Sequence, residues 1–356
     1  MERLQSKLEK IGRDSKITAK AVGLRYAINT NTGYYRQRKN DDFIFVDDRK
    51  KTVRNKQVID RIKKLVIPPA WESVWISPYE NGHLQATGID AKGRKQYRYH
   101  SQWNKIRNQS KFYKLRSFAN ALPFIRKQID KDLNRNGLPY EKVMALVIKL
   151  IELTNIRIGN EAYKKLYGSF GLTTLQDKHV RFQDSKIYFN FVGKKGISHK
   201  ISLQSKKLAN LVKKCKDIPG QDLFQYCDDD ENYHTIGSSD INNYLKEITQ
   251  EDFTAKDYRA WAGTVNALAA FRKLTPAENQ KDSKLKVIAV LVEVANKLGN
   301  TRAVCKKYYV HPTVICAFEK GSIWKYKPNS RNSELQPEES TLVQLLKNET
   351  ISEVYC

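Results

Sequence analysis

HVRFQDSKIYFNFVGKKGISHKISL, residues 179–203, decides how the larger part of the chain is built. Apolar and polar residues alternate in period two around two turns, QDSK and GKKG, so the stretch reads as a three-stranded β meander. It interrupts a run of helices. Upstream, EKVMALVIKLIELT (141–154) sets Val143, Leu146, Val147, Leu150 and Ile151 on one stripe, and this helix is expected to end near Gly159. Downstream, SSDINNYLKEIT, KDYRAWAGTVNALAAFRKL and KLKVIAVLVEVANKLG (284–299) keep helical spacing. The last stops at Gly299-Asn300, and Thr301 can cap a short helix that carries Tyr308 and Tyr309 until Pro312 ends it.

The first hundred or so residues have another texture. DDFIFVDD (41–48) and WESVWIS (71–77) alternate around Pro68-Pro69 with Gly and Asn punctuation, which predicts a small β-rich domain. Helical spacing takes over where SQWNKIRNQSKF leads into RSFANALPFIRKQIDKDL, and the linker is expected there. The expected organisation is a β-rich domain over 1–106, a mainly helical domain over 107–320 and a polar tail over 321–356 that packs loosely or stays mobile. The fold class is α+β.

The chain has 356 residues, enough for two domains with their own cores. Lys and Arg number 64 against 38 Asp and Glu, a formal net charge of +26 spread along the whole chain, which points to a polyanionic partner. Nucleic acid fits better than a membrane, because the basic residues are interleaved with Tyr, Trp and Gln and no long apolar run is present. The five cysteines show no CxxC pairing and leave one over, so they read as reduced intracellular thiols. The opening MERLQSKLEKIGRDSK is charged and lacks the apolar stretch of a secretory signal.

A chemistry on a polyanion must use what the chain offers. Neither the clustered carboxylates of metal-dependent nucleases nor a Gly-rich phosphate loop is legible, so tyrosines and cations are the candidates. A phenol has a pKa near ~10 and attacks a phosphodiester only with help from neighbouring positive charge. Arginine forks suit the charge that builds on the phosphate oxygens, and a lysine can protonate the departing sugar oxygen. Arg157 in LTNIRIGN, Arg259 in DFTAKDYRAWAG and Lys194 in GKKG stand where structure would constrain them. Singly, such an arginine is more often a cap or ion pair, and a hairpin-tip lysine is more often solvated. The residues alone therefore stop at a DNA-binding protein.

Four segments in order go further: TNIRIGNEAYKKLYGSFGLTTLQDKHV, GKKGISHK, DFTAKDYRAWAGTV and LGNTRAVCKKYYVHP resemble the type IB DNA topoisomerases, and most closely their bacterial, poxvirus-like branch. The run IPPAWESVWISPYENGHLQATGIDAKGRKQYRYHSQW is similar to the first domain of that branch, so the likeness covers most of residues 30–320. It implies the tyrosine recombinase/type IB topoisomerase catalytic fold, with 1–106 as a DNA-clamp domain. Tyr309 would be the nucleophile, forming a 3'-phosphotyrosyl link and freeing a 5'-hydroxyl strand that swivels before religation. Arg157 and Arg259 would hold the nonbridging oxygens and Lys194 would be the general acid. Asn300 matches a position that is His in poxviral and nuclear relatives; an amide donates a hydrogen bond but carries no proton.

The resemblance further implies DNA contacts by Gln96, Tyr97, Tyr99, Arg107 and Tyr163, and a phosphate-positioning or proton-transfer role for Lys256. Gln96, Tyr97 and Tyr99 are expected to present one face of a strand to the duplex. Tyr308, Lys195, His199 and His311 receive no catalytic role. It implies double-stranded DNA as partner, no cofactor, metal, nucleotide or membrane, a monomer, and an intracellular, DNA-associated location, the cytoplasm or nucleoid in a bacterium. Two rivals stand beside it. A tyrosine recombinase shares the chemistry but usually places His-x-x-Arg around the second arginine, where this chain has AKDYRAW. A non-catalytic DNA-binding protein would need neither the arginines nor the tyrosine motif in order.

Overall fold

The computed structural model describes residues 14–30, 32–40, 42–91, 93–328 and 334–347, and for 107–111 and 113 the backbone alone. The chain divides into two compact units, Met1–Lys114 and Leu115–Cys356.

In the first unit, Asp14 caps helix α1 (Ser15–Ala21), its carboxylate accepting from Lys16 N at 2.7 Å. Strands β1 (Tyr34–Lys39) and β2 (Asp42–Val46), helix α2 (Lys56–Lys64), and strands β3 (Glu72–Ile76), β4 (Leu84–Ile89) and β5 (Lys95–Tyr99) come next. The five strands pair antiparallel in the order β2-β1-β3-β4-β5. Ile62 of α2 packs with Phe45, Val74, Ile76 and Ala86 of the sheet in one buried cluster. β5 is an edge strand.

The expected break after residue 106 lies inside a helix, α3 (Ser101–Asp132). That segment is helical because its periodicity already begins at Trp103 and Ile106, both buried.

The second unit is built around α4 (Tyr140–Thr154), whose residues from Lys142 to Ile148 are all buried. The expected stripe is therefore part of a helix buried on every face over residues 142–148, although Leu153 near its end is exposed. It ends at Asn155, not near Gly159: Asn155 takes the left-handed conformation, φ 56°, and its N–H returns to Ile151 O at 2.9 Å. After α5 (Glu161–Tyr167) comes the meander, β6 (Val180–Gln183), β7 (Lys186–Val192) and β8 (Ser198–Gln204), in that spatial order. Ile187, Phe189 and Phe191 face the core. The chain continues through α6 (Lys206–Lys216), a short hairpin of β9 (Gln225–Cys227) and β10 (Tyr233–Thr235), α7 (Ser238–Thr249), α8 (Ala255–Arg272) and α9 (Gln280–Lys297). α10 (Arg302–Tyr308) is capped by Thr301 as its sequence predicts. Pro312 does not end α10; it is the first residue of α11 (Pro312–Glu319), where its missing N–H costs nothing.

Part of the expected tail is structural. α12 (Pro337–Lys347) buries Leu342, Leu345 and Leu346 in the core of the second unit, each worth about 1.5–3 kcal/mol. Glu339 is 5% exposed, yet Arg126 of α3 and Trp261 of α8 both bond to its carboxylate. No helix among the described residues is long and apolar enough to cross a membrane.

Candidate active site

The left-handed turn at Asn155 sets the course of the loop that leaves α4. The carbonyl of Asn155 accepts from Arg259 Nη1, and Arg157 stands two residues on. The 171–173 segment runs beside that loop, Leu172 N–H donating to Arg157 O at 2.8 Å. Gly171 permits the approach, since a Cβ there would lie 2.5 Å from Arg157 O. The Arg157 guanidinium is thereby delivered to the turn after α9. Its Nη2 donates to Gly299 O at 2.7 Å and to Asn300 Oδ1. Asn300 Nδ2 is left buried without a partner.

Arg259 enters from the second turn of α8 and is 4% exposed. Its Nη2 donates to Leu298 O at 2.8 Å and its Cζ lies 5.3 Å from the centre of the Tyr309 ring. Tyr309 caps α10, its N–H bonded to Cys305 O at 3.0 Å. Two residues of α8 hold it there. The Thr264 hydroxyl shares its proton between Ala260 O, 2.8 Å, and Tyr309 O, 3.1 Å, and accepts from His311 N–H at 3.2 Å. Gly263 lies one turn beyond Arg259 on the same helix face. A Cβ on Gly263 would sit 2.6 Å from Tyr309 O, so the bare backbone admits the tyrosine.

One cleft collects Arg157, Lys194, Lys195, Lys256, Asn300, Tyr308 and Tyr309. Lys194 and Lys195 sit on the turn between β7 and β8, which Lys195 and Gly196 close with φ of 64° and 74°. Both lysines reach the cleft; Lys194 also borders a neighbouring pocket with Tyr163, its Nζ 5.5 Å from that ring. Lys256 is exposed in the first turn of α8.

The electrostatics of the site are set by its two arginines. Burial, then Arg259, push the Arg157 pKa down to about 10, against the pull of Tyr309. Burial lowers Arg259 too, opposed by the Tyr309 phenol. Two guanidinium groups held close, with no carboxylate paired to either among the described residues, favour a bound oxyanion. Among the described residues no group of three or more His, Cys, Asp or Glu side chains is gathered for a metal ion.

The expected DNA-contact residues are less uniform. Tyr97 and Tyr99 share one face of β5, their rings stacked 5.9 Å apart. Gln96 does not share it: its Nε2 donates to Asp90 Oδ2 at 2.8 Å, because adjacent strand residues point to opposite faces. Tyr97 is 47% exposed, whereas Tyr99 also packs against Trp103 and Leu84 cores. The Arg107 side chain lies outside the described residues. Tyr163 is exposed beside Tyr167, ring centres 5.5 Å apart. His311 is a buried helix cap, its Nδ1 accepting from Thr313 N–H at 3.2 Å. Gly263 and Thr264 carry geometry that the sequence reading does not single out, and the Arg259–Gly263 spacing of one helical turn is the available signal; His199, given no catalytic role there, is half-buried against Phe191.

Comparison with known proteins agrees with this architecture. The family described as eukaryotic DNA topoisomerase I, catalytic core, matches residues 100–333, and bacterial DNA topoisomerase IB, N-terminal domain, matches residues 42–90. DNA topoisomerase 1B of Acanthamoeba polyphaga mimivirus is 33% identical over 287 residues, which are 78% of this chain and 85% of that protein. DNA topoisomerase 1B of vaccinia virus (strain Copenhagen) is 25% identical over 230 residues, 64% of this chain and 70% of that protein. With its helical part matched as a catalytic core and its first unit matched separately, the chain belongs to the type IB DNA topoisomerases, in their poxvirus-like branch.

Proposed function

We propose that the chain relaxes supercoiled duplex DNA by transient cleavage of one strand at the cleft of Tyr309. The observation that carries this is the convergence of Tyr309, Arg157, Asn300 and Lys194 on one cleft, with Arg259 beneath the tyrosine ring. The Tyr309 phenol releases its proton to water as its oxygen attacks the scissile phosphorus; the bond to phosphorus forms as the P–O5' bond breaks, and Lys194 gives the departing 5' oxygen its proton. Arg157, Arg259 and the Asn300 amide stabilise the charge on the nonbridging oxygens. The free strand swivels, and its 5'-hydroxyl then attacks the phosphotyrosine and expels the phenol. The ester keeps the energy of the broken bond, so the cycle calls for neither ATP nor a metal.

All five side chains come from one chain, which supports action as a monomer. Tyr97, Tyr99 and Tyr163, with Lys256 and Arg107, are proposed as DNA contacts that position the duplex; Gln96, tied to Asp90, serves only if that bond is released. The location is that of the substrate, inside the cell and on its DNA.

The test is a supercoiled plasmid incubated with the protein in EDTA and without ATP. The reading expects relaxation of both supercoil signs and, on rapid denaturation, protein attached to the 3' end of a nicked strand. Recombination of a two-site substrate without relaxation would favour a recombinase, and binding without either would leave a non-catalytic DNA-binding protein.

A further inference from the structure

His199 has no part in the cleavage scheme, yet three neighbouring segments beside the cleft meet on its ring. It lies on β8 opposite Phe191, and the two rings stack with centres 5.0 Å apart. On one side is the neck of the hairpin: a Cβ on Gly193 would lie 2.6 Å from His199 Cδ2 and 2.7 Å from Nε2. On the other is the turn after α9, where a Cβ on Gly299 would lie 2.5 Å from Cε1. The imidazole fills the space that a side chain at either glycine would need. Gly193 precedes Lys194, and Gly299 precedes Asn300 and accepts from Arg157 at 2.7 Å.

We infer that His199 is a positioning residue for strand cleavage, a spacer that sets the distance between the Lys194 hairpin and the Arg157–Asn300 pair. The inference rests on the reading of this cleft as the DNA-cleaving site. The ring works as an uncharged wedge, since burial, then Arg157 and Arg259, hold its pKa below the ordinary histidine value. Without it, the Gly193 and Gly299 backbones face a void, and the hairpin can collapse or swing. Lys194 is exposed at the hairpin tip, so a small tilt at Gly193 moves its amine the furthest. Proton delivery to the leaving oxygen is the step most sensitive to that tilt.

Single-turnover cleavage of a duplex oligonucleotide by the full chain tests this. His199→Ala is expected to slow cleavage about 10–100-fold while DNA affinity stays within about twofold. A second substrate carries sulfur in place of the bridging 5' oxygen, a leaving group that departs without an acid. On it the His199→Ala defect is expected to shrink at least about fivefold, a response that general loss of structure would not give. Gly193→Ala is the companion variant, for a φ of −96° suits alanine and the new methyl pushes directly on the ring. It reads the same rescue should His199→Ala fail to fold. Cleavage by His199→Ala within about twofold of the native chain overturns the inference, and so does an equal defect on both substrates. If the native chain forms no covalent adduct at all, the reading of the cleft itself has failed.

Discussion

Arg157 donates from Nη2 to the side-chain oxygen of Asn300, and this fixes the orientation of the amide. A guanidinium has no acceptor, so the oxygen must be the end it holds, and Nδ2 is left as a buried, unpaired donor. Asn300→Asp would put an anion where that donor stands and pair it with Arg157. Strand cleavage is expected to fall about 100–1,000-fold. Asn300→His keeps a donor and is expected to remain within about tenfold of the native rate. Single-turnover adduct formation measures both; an Asp variant as fast as the native chain removes Asn300 from the site.

The two adjacent tyrosines have different neighbours. Arg259 lies 5.3 Å from the Tyr309 ring centre, whereas Lys307 of the same helix lies 5.3 Å from that of Tyr308. A buried arginine stabilises charge developing on an attacking oxygen more than an exposed lysine does, because water screens the lysine. Tyr309→Phe is expected to abolish both plasmid relaxation and the covalent adduct with duplex binding retained, and Tyr308→Phe to relax within about tenfold of native. The opposite pattern would make Tyr308 the nucleophile.

Gly263 separates helix propensity from packing. In an ordinary helix interior, Gly→Ala adds about 1 kcal/mol of stability. Here the new Cβ would meet Tyr309 O at 2.6 Å and Tyr309 Cβ at 3.1 Å, an overpacking that costs about 1–3 kcal/mol. The clash therefore wins: Gly263→Ala is expected to melt lower and to lose most of its cleavage by displacing Tyr309. Thermal melting and adduct formation read the two effects separately, and a variant that melts higher while cleaving normally contradicts the packing argument.

How much was legible in the sequence depends on how local its cause is. The meander reads from residues 179–203 alone because strand alternation and turn chemistry are both short-range, and the Thr301 cap is decided within four residues. The depth of α4 was not legible, since a stripe shows one buried face and the other is covered by elements distant in sequence. The helix at 337–347 was missed because its opening PEES is polar, although Leu342, Leu345 and Leu346 already kept helical spacing. What anchors it is Arg126, 213 residues away. Of the candidate site, Arg157, Lys194, Arg259, Asn300 and Tyr309 were found by resemblance; physical reading alone saw helix-end arginines and a solvated lysine. Gly263 meets Tyr309 and His199 meets Gly299, residues distant in sequence, which no single segment displays.

That distant anchor gives a prediction in pH. Arg126 grips Glu339 with two nitrogens, at 2.8 and 2.9 Å, and Glu152 with a third at 2.6 Å, while Trp261 Nε1 donates to Glu339 at 2.9 Å. Burial alone would raise the Glu339 carboxyl, but the bonds from Arg126 and Trp261 outweigh it and hold the group below its ordinary 4.5. The unfolded chain thus takes up this proton at a higher pH than the folded one. The stabilisation is complete above pH 4.5 and is lost as pH falls through the lower folded value. Glu339→Gln removes the charge and is expected to cost about 3–5 kcal/mol at pH 7, as breaking a buried pair does. Below pH 4.5 the native chain should lose stability more steeply than the variant, so that the gap between them narrows. Urea unfolding at pH 7 and at successively lower pH measures that gap, and a gap that widens on acidification would mean that the Glu339 carboxyl is not held in its charged form. Because Trp261 lies two residues from Arg259 on α8, the same variant also tests whether α12 steadies the helix that carries Arg259: cleavage per folded molecule should fall along with stability.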